Sequence, residues 1–285
     1  MKKPPFIIKA NGEKAHFSRS SLFTSLVRSG APQDVANSVT DKVSATIRDG
    51  VSTTHDIYSK AYTLLKGMKY HPIAGRYSLK QAIMELGPTG FPFEVFIAEI
   101  LKRHGYQTRI GVIVEGVCVS HEVDVVAIKD TVHVLVEAKF HNQPGMHTDV
   151  KVPLYIQARF QDIEKQLKRS GDTHKKHESW VVTNTRLTSS AIQYGECMGM
   201  TLIGWRYPES GGLEKMIEEA GLHPITCLPS LTKKEKELLL RKNIVLCKDI
   251  IEKPRLLANI GMVSQRGSKI ISEAKTVCQT PMEAV

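Results

Sequence analysis

Cysteine is scarce and unpaired in this chain. Its five cysteines, Cys118, Cys197, Cys227, Cys247 and Cys278, are odd in number and scattered, with no Cys-x-x-Cys among them. That pattern argues against a disulfide framework or a zinc knuckle and for a reducing compartment. No apolar run reaches the ~18 residues that a membrane span requires. The opening Met1-Lys2-Lys3-Pro4-Pro5 leads into a short apolar run that soon turns polar, without the hydrophobic stretch of a secretory leader. A cytoplasmic protein with no membrane partner is therefore expected. Internal repeats and low-complexity tracts are also missing. Acidic residues are in deficit: 29 Asp and Glu against 39 Lys and Arg leave a net charge of +10 and a pI near 9.3. Such a balance favours polyanionic partners.

What is present is concentrated in the middle. Val132-His133-Val134-Leu135-Val136-Glu137-Ala138-Lys139-Phe140 reads as a buried strand that ends in charge. It follows Glu122-Val123-Asp124-Val125-Val126-Ala127-Ile128, a second apolar strand with its own carboxylate. Alternation along a strand sets Glu137 and Lys139 on one face and Ala138 on the other. Polar ends on apolar strands are costly unless they meet a metal, a partner or a substrate. Two carboxylates on adjacent strands suit a hard divalent cation, and a lysine beside them suits a water. His121, Glu122 and His133 lie nearby without zinc-ligand spacing and are read as surface or supporting residues.

The flanking segments read as an ordered series. Phe93, Phe96, Ile97, Ile100 and Leu101 form the apolar face of a helix that carries Glu94 at its flank. A strand from Tyr106 follows, then the strands with Asp124 and Glu137, then a helix around 155–168 with Gln157 near its start. Strand 180–183, a helix from Ser189 and strand 200–205 complete the plan, a helix-wrapped α/β sheet.

The order Glu94, Asp124, Glu137-Ala138-Lys139 on this plan resembles the PD-(D/E)XK nuclease superfamily, and the Val-Val-Thr-Asn run with Gly-Met-Thr-Leu-Ile resembles its Mrr-type restriction endonuclease branch. The resemblance implies a restriction-endonuclease-like mixed sheet flanked by helices over residues 90–206. It also implies that Asp124, Glu137 and the Ala138 carbonyl ligate Mg²⁺ (or Mn²⁺), and that Lys139 positions the attacking water. Glu94 and Gln157 complete the catalytic set. Val123 stands where the usual motif has proline.

The first 88 residues read as a separate unit. Asn11-Gly12 joins two short strands as a two-residue hairpin turn. Ser18 caps a helix ending at Gly30, Pro32 opens a second that stops at Gly50, and Ser52-Thr53-Thr54 caps a third. A fourth covers 78–86. This β-hairpin with a helical bundle resembles the ATP-cone, the nucleotide-sensing domain of ribonucleotide reductases and their repressor. The resemblance implies ATP or dATP as effector, with Lys9 at the phosphates, Thr53 or Thr54 on the nucleotide and Ile7 near the base. The chain departs from that family at Ala10, where arginine is usual, and at Ser20 and Ser21, beside Arg19. A degenerate cone kept for oligomerisation or DNA docking is the competing reading.

Residues 209–285 are helical and polar, with 207–222 read as a linker. The glycines of Gly261-Met262-Val263-Ser264-Gln265-Arg266-Gly267 resemble helix-hairpin-helix modules; a packing module or dimer contact is the other reading. Basic residues gather at Arg159, Lys165, Lys168, Arg169, Lys175 and Lys176, and again at Lys233, Lys234, Lys236, Arg241 and Lys242. The first group reads either as a phosphate track or as a solvated helix face. The segments 1–88, 89–208 and 209–285 together imply a metal-dependent DNA endonuclease in restriction, defence or DNA processing, working as a homodimer or higher homo-oligomer. A junction-resolving nuclease and a non-cleaving, nucleotide-responsive DNA-binding protein are the alternatives.

Overall fold

The computed structural model describes residues 4–172 and 176–279, which group into two compact units. One spans residues 86–222, and the other joins 1–85 to 223–285. Packing thus unites the first and last of the three segments read from the sequence.

In the joined unit, β1 (Phe6–Ile8) pairs antiparallel with β2 (Lys14–His16). Lys9 N–H donates to Glu13 O at 2.8 Å and closes a loop of Ala10, Asn11 and Gly12. The loop is one residue longer than the expected Asn-Gly turn, and Gly12 takes the left-handed position at φ +84° that such loops demand. Five helices follow: α1 (Arg19–Arg28), α2 (Gln33–Ser44), α3 (Thr54–Gly67), α4 (His71–Tyr77) and α5 (Leu79–Met84). The Ser18 hydroxyl accepts from Ser21 N–H at 3.1 Å, and Pro32 precedes α2. Thr53 and Asp56 form a reciprocal capping box at α3. Leu22 and Leu26 of α1 pack with Val35, Val39 and Val43 of α2 and with Ala61 and Leu65 of α3, one apolar stripe from each. Helix α2 stops at Ser44, short of Gly50, and α4 was not foreseen from the sequence.

In the other unit, α6 (Phe91–Arg103) buries Phe93, Phe96, Ile97, Ile100 and Leu101, the face expected of it. Strands β3 (Gln107–Glu115), β4 (Ser120–Lys129) and β5 (Val132–Lys139) run antiparallel. After the short β6 (His147–Thr148), helix α7 (Lys151–Arg169) crosses over to β7 (Lys176–Thr183), which lies parallel to β5. The short β8 (Arg186–Leu187) pairs with β6, and α8 (Ser189–Cys197) leads to β9 (Thr201–Ile203), parallel to β7. The sheet order is β3-β4-β5-β7-β9, a mixed sheet flanked by helices. Residues 207–222 are no linker: α9 (Leu213–Ala220) buries Leu213 and Ile217, and α9 packs on α6.

The chain returns to the first unit as α10 (Lys233–Arg241), α11 (Cys247–Glu252), α12 (Arg255–Ala258) and α13 (Ser264–Cys278). Helix α13 packs on α4 and α11. Arg76 of α4 donates to Thr276 O at 2.9 Å and to Ser29 O at 3.0 Å, tying both ends of the chain together. A Cβ at Gly75 would stand 3.0 Å from both Cys227 O and Val277 Cγ2, so the bare backbone admits this approach. Among the described residues no helix is long and apolar enough to cross a membrane.

Candidate active site

The β4–β5 ladder ends at the pair Val125–Val136, and Asp124 and Glu137 are the next residues on each strand. On the other side of β4, Gly111 interrupts β3 at φ +60°, between the pairs Ile110–Val125 and Val112–Val123. Asp124 therefore sits where both ladders loosen, and its carboxylate turns to the end of β5. Its Oδ2 accepts from Ala138 N–H at 2.7 Å.

Glu137 is held from α7. Tyr155 Oη donates to Glu137 Oε1 at 2.7 Å, and Arg159 Nη1 lies 3.3 Å from Oε2. Tyr155 and Arg159 are four residues apart on one face of α7, whereas Gln157, two residues from each, lies on another face of the same helix. Gln157 is buried, and its Oε1 has no hydrogen-bond partner among the described residues. Lys139 is half-buried at the last position of β5, opposite Thr183 of β7.

The electrostatics show carboxylates gathered with too little positive charge. Burial, then the charge of Glu137, push the Asp124 carboxyl up to about 6, against the Ala138 hydrogen bond and Arg159. Burial, then Asp124, Glu122 and Glu137, push Glu94 up to about 7. Glu94, on a different element, thus belongs to the same electrostatic cluster. Asp124, Glu137, Lys139 and Glu94 are brought together, with Gln157 on the helix that holds Glu137.

Just beyond Lys139 lies a polar anchor that the sequence reading did not identify. Asn184 Oδ1 accepts from His141 N–H at 2.9 Å, and Asn184 Nδ2 donates to His141 O at 2.7 Å. The His141 ring contacts Thr148 Oγ1 at 3.0 Å, and Thr148 donates to Thr183 Oγ1 at 3.0 Å. Asn184, Thr183 and Thr148 are fully buried, so these bonds fix the exit of β5 rather than a surface loop. Burial, then Lys139, hold the His141 ring below its ordinary pKa. The Val-Val-Thr-Asn run was the available signal. Tyr155 gave none, because a tyrosine on a helix has no characteristic spacing to a strand carboxylate.

Other expected residues have local partners. His121 lies 2.9 Å from Asp162 Oδ2, and Asp162 also accepts from Cys118 N–H at 3.0 Å, stapling the β3–β4 hairpin to α7. His133 Nδ1 meets His177 Nδ1 at 3.1 Å. In the basic group, Arg159 serves Glu137, Lys168 pairs with Glu164 at 2.9 Å and Lys176 with Glu178 at 2.7 Å. Lys165 and Arg169 are exposed, and Lys175 lies outside the described residues.

In the unit of 1–85, β1 also meets the segment before α3: Ile8 N–H donates to Ser52 O at 3.0 Å, and Ile8 bridges to Thr53. Ile7, Lys9 and Thr53 are thereby near neighbours in the fold. Ile7 is buried, Lys9 pairs with Glu13 at 3.2 Å, and the Thr53 hydroxyl donates to Asp56 Oδ2 at 2.8 Å. Thr54 is half-buried at the first turn of α3, and Arg19 pairs with Asp41.

Two carboxylates with a third in electrostatic reach are an oxygen donor set for a hard divalent cation, and the adjoining lysine suits a water rather than the ion. Among the described residues no three His, Cys, Asp or Glu side chains already close around a common point. The donor chemistry fits, with Asp124 and Glu137 as the pair.

Residues 88–204 match the catalytic family described as restriction endonuclease, which makes the β-sheet unit a nuclease-type domain. Residues 223–278 match the family described as AF1548-like, C-terminal. The chain is 38% identical over 182 residues to an uncharacterized protein of Archaeoglobus fulgidus, covering 64% of this chain and 99% of that one. A crystal structure titled as the protein of unknown function AF1548 is 37% identical and superposes with a TM-score of 0.54, over 67% of this chain and 98% of the other. This chain belongs to the AF1548-like family. Roughly a third of it has no counterpart in the Archaeoglobus protein.

Proposed function

We propose that this protein is a metal-dependent endonuclease that hydrolyses DNA phosphodiester bonds. The observation that carries the reading is the Asp124–Glu137 pair just past the end of the β4–β5 ladder, with Lys139 two positions beyond Glu137 on the same face of β5. Mg²⁺ or Mn²⁺, when bound, supplies charge against the scissile phosphate and its leaving oxygen. Asp124 and Glu137 would hold it, with the Ala138 carbonyl alongside. Lys139 orients the water that attacks phosphorus while the bond to the leaving oxygen breaks. Glu94, held near neutrality, is suited to take or return a proton at working pH. Gln157 is assigned to the outer site, and the His141–Asn184 anchor keeps β5 in place. Exposed Lys165 and Arg169 are available to a phosphate backbone.

The hairpin-and-helix segment is proposed as a nucleotide-responsive cone for ATP or dATP, supported by the approach of Ile7 and Lys9 to Thr53. Cutting both strands of a duplex needs two sites, which a homodimer or higher homo-oligomer supplies. The overall role is restriction, defence or DNA processing in the cytoplasm.

The test is cleavage of supercoiled and linear DNA by wild type and Lys139→Ala, in Mg²⁺, Mn²⁺ or chelator, with and without ATP and dATP. Metal-dependent cutting that falls at least 100-fold in the variant is expected, on the scale of a lost catalytic group. Equal behaviour of the two proteins in every metal would remove the catalytic assignment and leave a DNA-binding role.

A further inference from the structure

Three of the five cysteines lie far from the carboxylates in sequence and come together in the unit that joins the chain's two ends. Cys227 and Cys247 are fully buried, whereas Cys278, at the end of α13, is only partly covered. Cys247 opens α11, and α11 packs directly on α13. The Cys247 and Cys278 side chains are within hydrogen-bonding reach of one another, and the His223 side chain is in reach of Cys278. Backbone contacts fix this grouping: Cys247 N–H donates to His223 O at 2.9 Å, and Pro224 bridges to Leu246. Cys247 Sγ also lies 3.4 Å from Pro224 O. His223 is buried, with Nδ1 lacking a partner among the described residues.

A structural reading, three small apolar side chains filling a core, accounts for Cys227. It does not account for two thiols facing each other beside a buried imidazole. We propose that Cys278 and Cys247 are a redox-active dithiol, with Cys278 the attacking and Cys247 the resolving thiol, which forms an intramolecular disulfide between α13 and α11.

The asymmetry suits those roles. The hydrogen bond from Cys247, and then His223, lower the Cys278 thiol below its usual range, whereas burial raises Cys247. The nucleophile is thus the accessible member and the buried member stays a thiol until needed. With a small-molecule disulfide as oxidant, the Cys278 thiolate attacks one sulfur and expels one thiolate, leaving a mixed disulfide. Cys247 then attacks the Cys278 sulfur, gives up its proton to water and releases the second thiolate. Two protein thiols and one disulfide become one protein disulfide and two small thiols. His223 stabilises the starting thiolate and is a positioning residue. The bond would pin α11 to α13, close beside the Arg76 contacts that hold the end of the chain to α4.

The test treats the full-length protein with oxidised glutathione, quenches with acid, alkylates, and maps peptides by mass spectrometry. Wild type and Cys227→Ser are expected to give a peptide linked through Cys247 and Cys278, lost on reduction. Cys247→Ser should stop at a glutathione adduct on Cys278, and Cys278→Ser should give no link at all. Thermal unfolding of each reduced variant shows whether it is folded at the time of oxidation. A persistent glutathione adduct on Cys278 in wild type, or a link from Cys278 to Cys227 instead, would overturn the assignment. None of these readouts depends on nuclease activity.

Discussion

Replacing Asp124 by asparagine should make the metal-free protein more stable, although it removes a residue from the centre of the proposed site. Asparagine keeps the Oδ acceptor for Ala138 N–H at 2.7 Å and nearly the same volume, but carries no charge. The ionised aspartate is held beside Glu137 and out of water, which lifts its carboxyl from 3.8 to about 6. A shift of that size corresponds to roughly 3 kcal/mol between the two charge states. The folded protein therefore binds this proton more tightly than the unfolded chain does. The cost is small near pH 4, grows as pH rises through 4 to 6, and is complete above the folded value. Partial exposure and coupling to Glu137 reduce it, so a gain of about 1–2 kcal/mol is expected for Asp124→Asn at pH 8. Urea unfolding in chelator at pH 8 and at pH 4.5 measures it, with the gain shrinking at the lower pH. Millimolar Mg²⁺ should then stabilise wild type and not the variant, reversing their order. A variant that is less stable at pH 8, or a difference independent of pH, would show that Asp124 is not a strained carboxylate awaiting a cation.

Three further outcomes follow from named contacts. Asn184→Ala strips two bonds from the partly buried backbone of His141, and should cost roughly 1–3 kcal/mol in denaturant unfolding. Tyr155→Phe removes a donor from Glu137; it should cost about 1 kcal/mol and lower the Mg²⁺ concentration for half-maximal cleavage, since that oxygen no longer has a bond to give up. Thr53→Ala breaks the capping box of α3 and should cost about 1 kcal/mol, which Thr53→Ser restores. A loss of any ATP-induced rise in melting temperature in Thr53→Ala, with its return in Thr53→Ser, would link the cap to nucleotide binding.

Much of the architecture was legible because its elements carry local signals. The spacing Phe93, Phe96, Ile97, Ile100 specifies one buried helix face, and Ser18, Pro32 and Thr53 mark helix starts by their own chemistry. Alternation and the apolar runs around Asp124 and Glu137 specify two strands, each with a carboxylate that an apolar strand does not otherwise carry. The misreadings have equally local causes. Residues 207–222 are rich in glycine and charge and read as a linker, yet Leu213, Ile217 and Ala220 at helical spacing have a surface to cover. Helix α4 is too short for its periodicity to stand out.

Sequence alone determined which residues bear charge on apolar strands, and that they follow one another in the order of a nuclease-type domain. Only tertiary structure decided what those charges meet: Tyr155 and Arg159 on Glu137, Asn184 behind Lys139, and Glu94 close enough to share the field of Asp124. It also decided that residues 1–85 and 223–285 form one unit in which α11, opened by Cys247, packs on α13, which ends at Cys278. The reason is physical. Periodicity and capping are encoded within one or two turns of chain, whereas the partner of a side chain depends on which faces are left to bury after every element has formed.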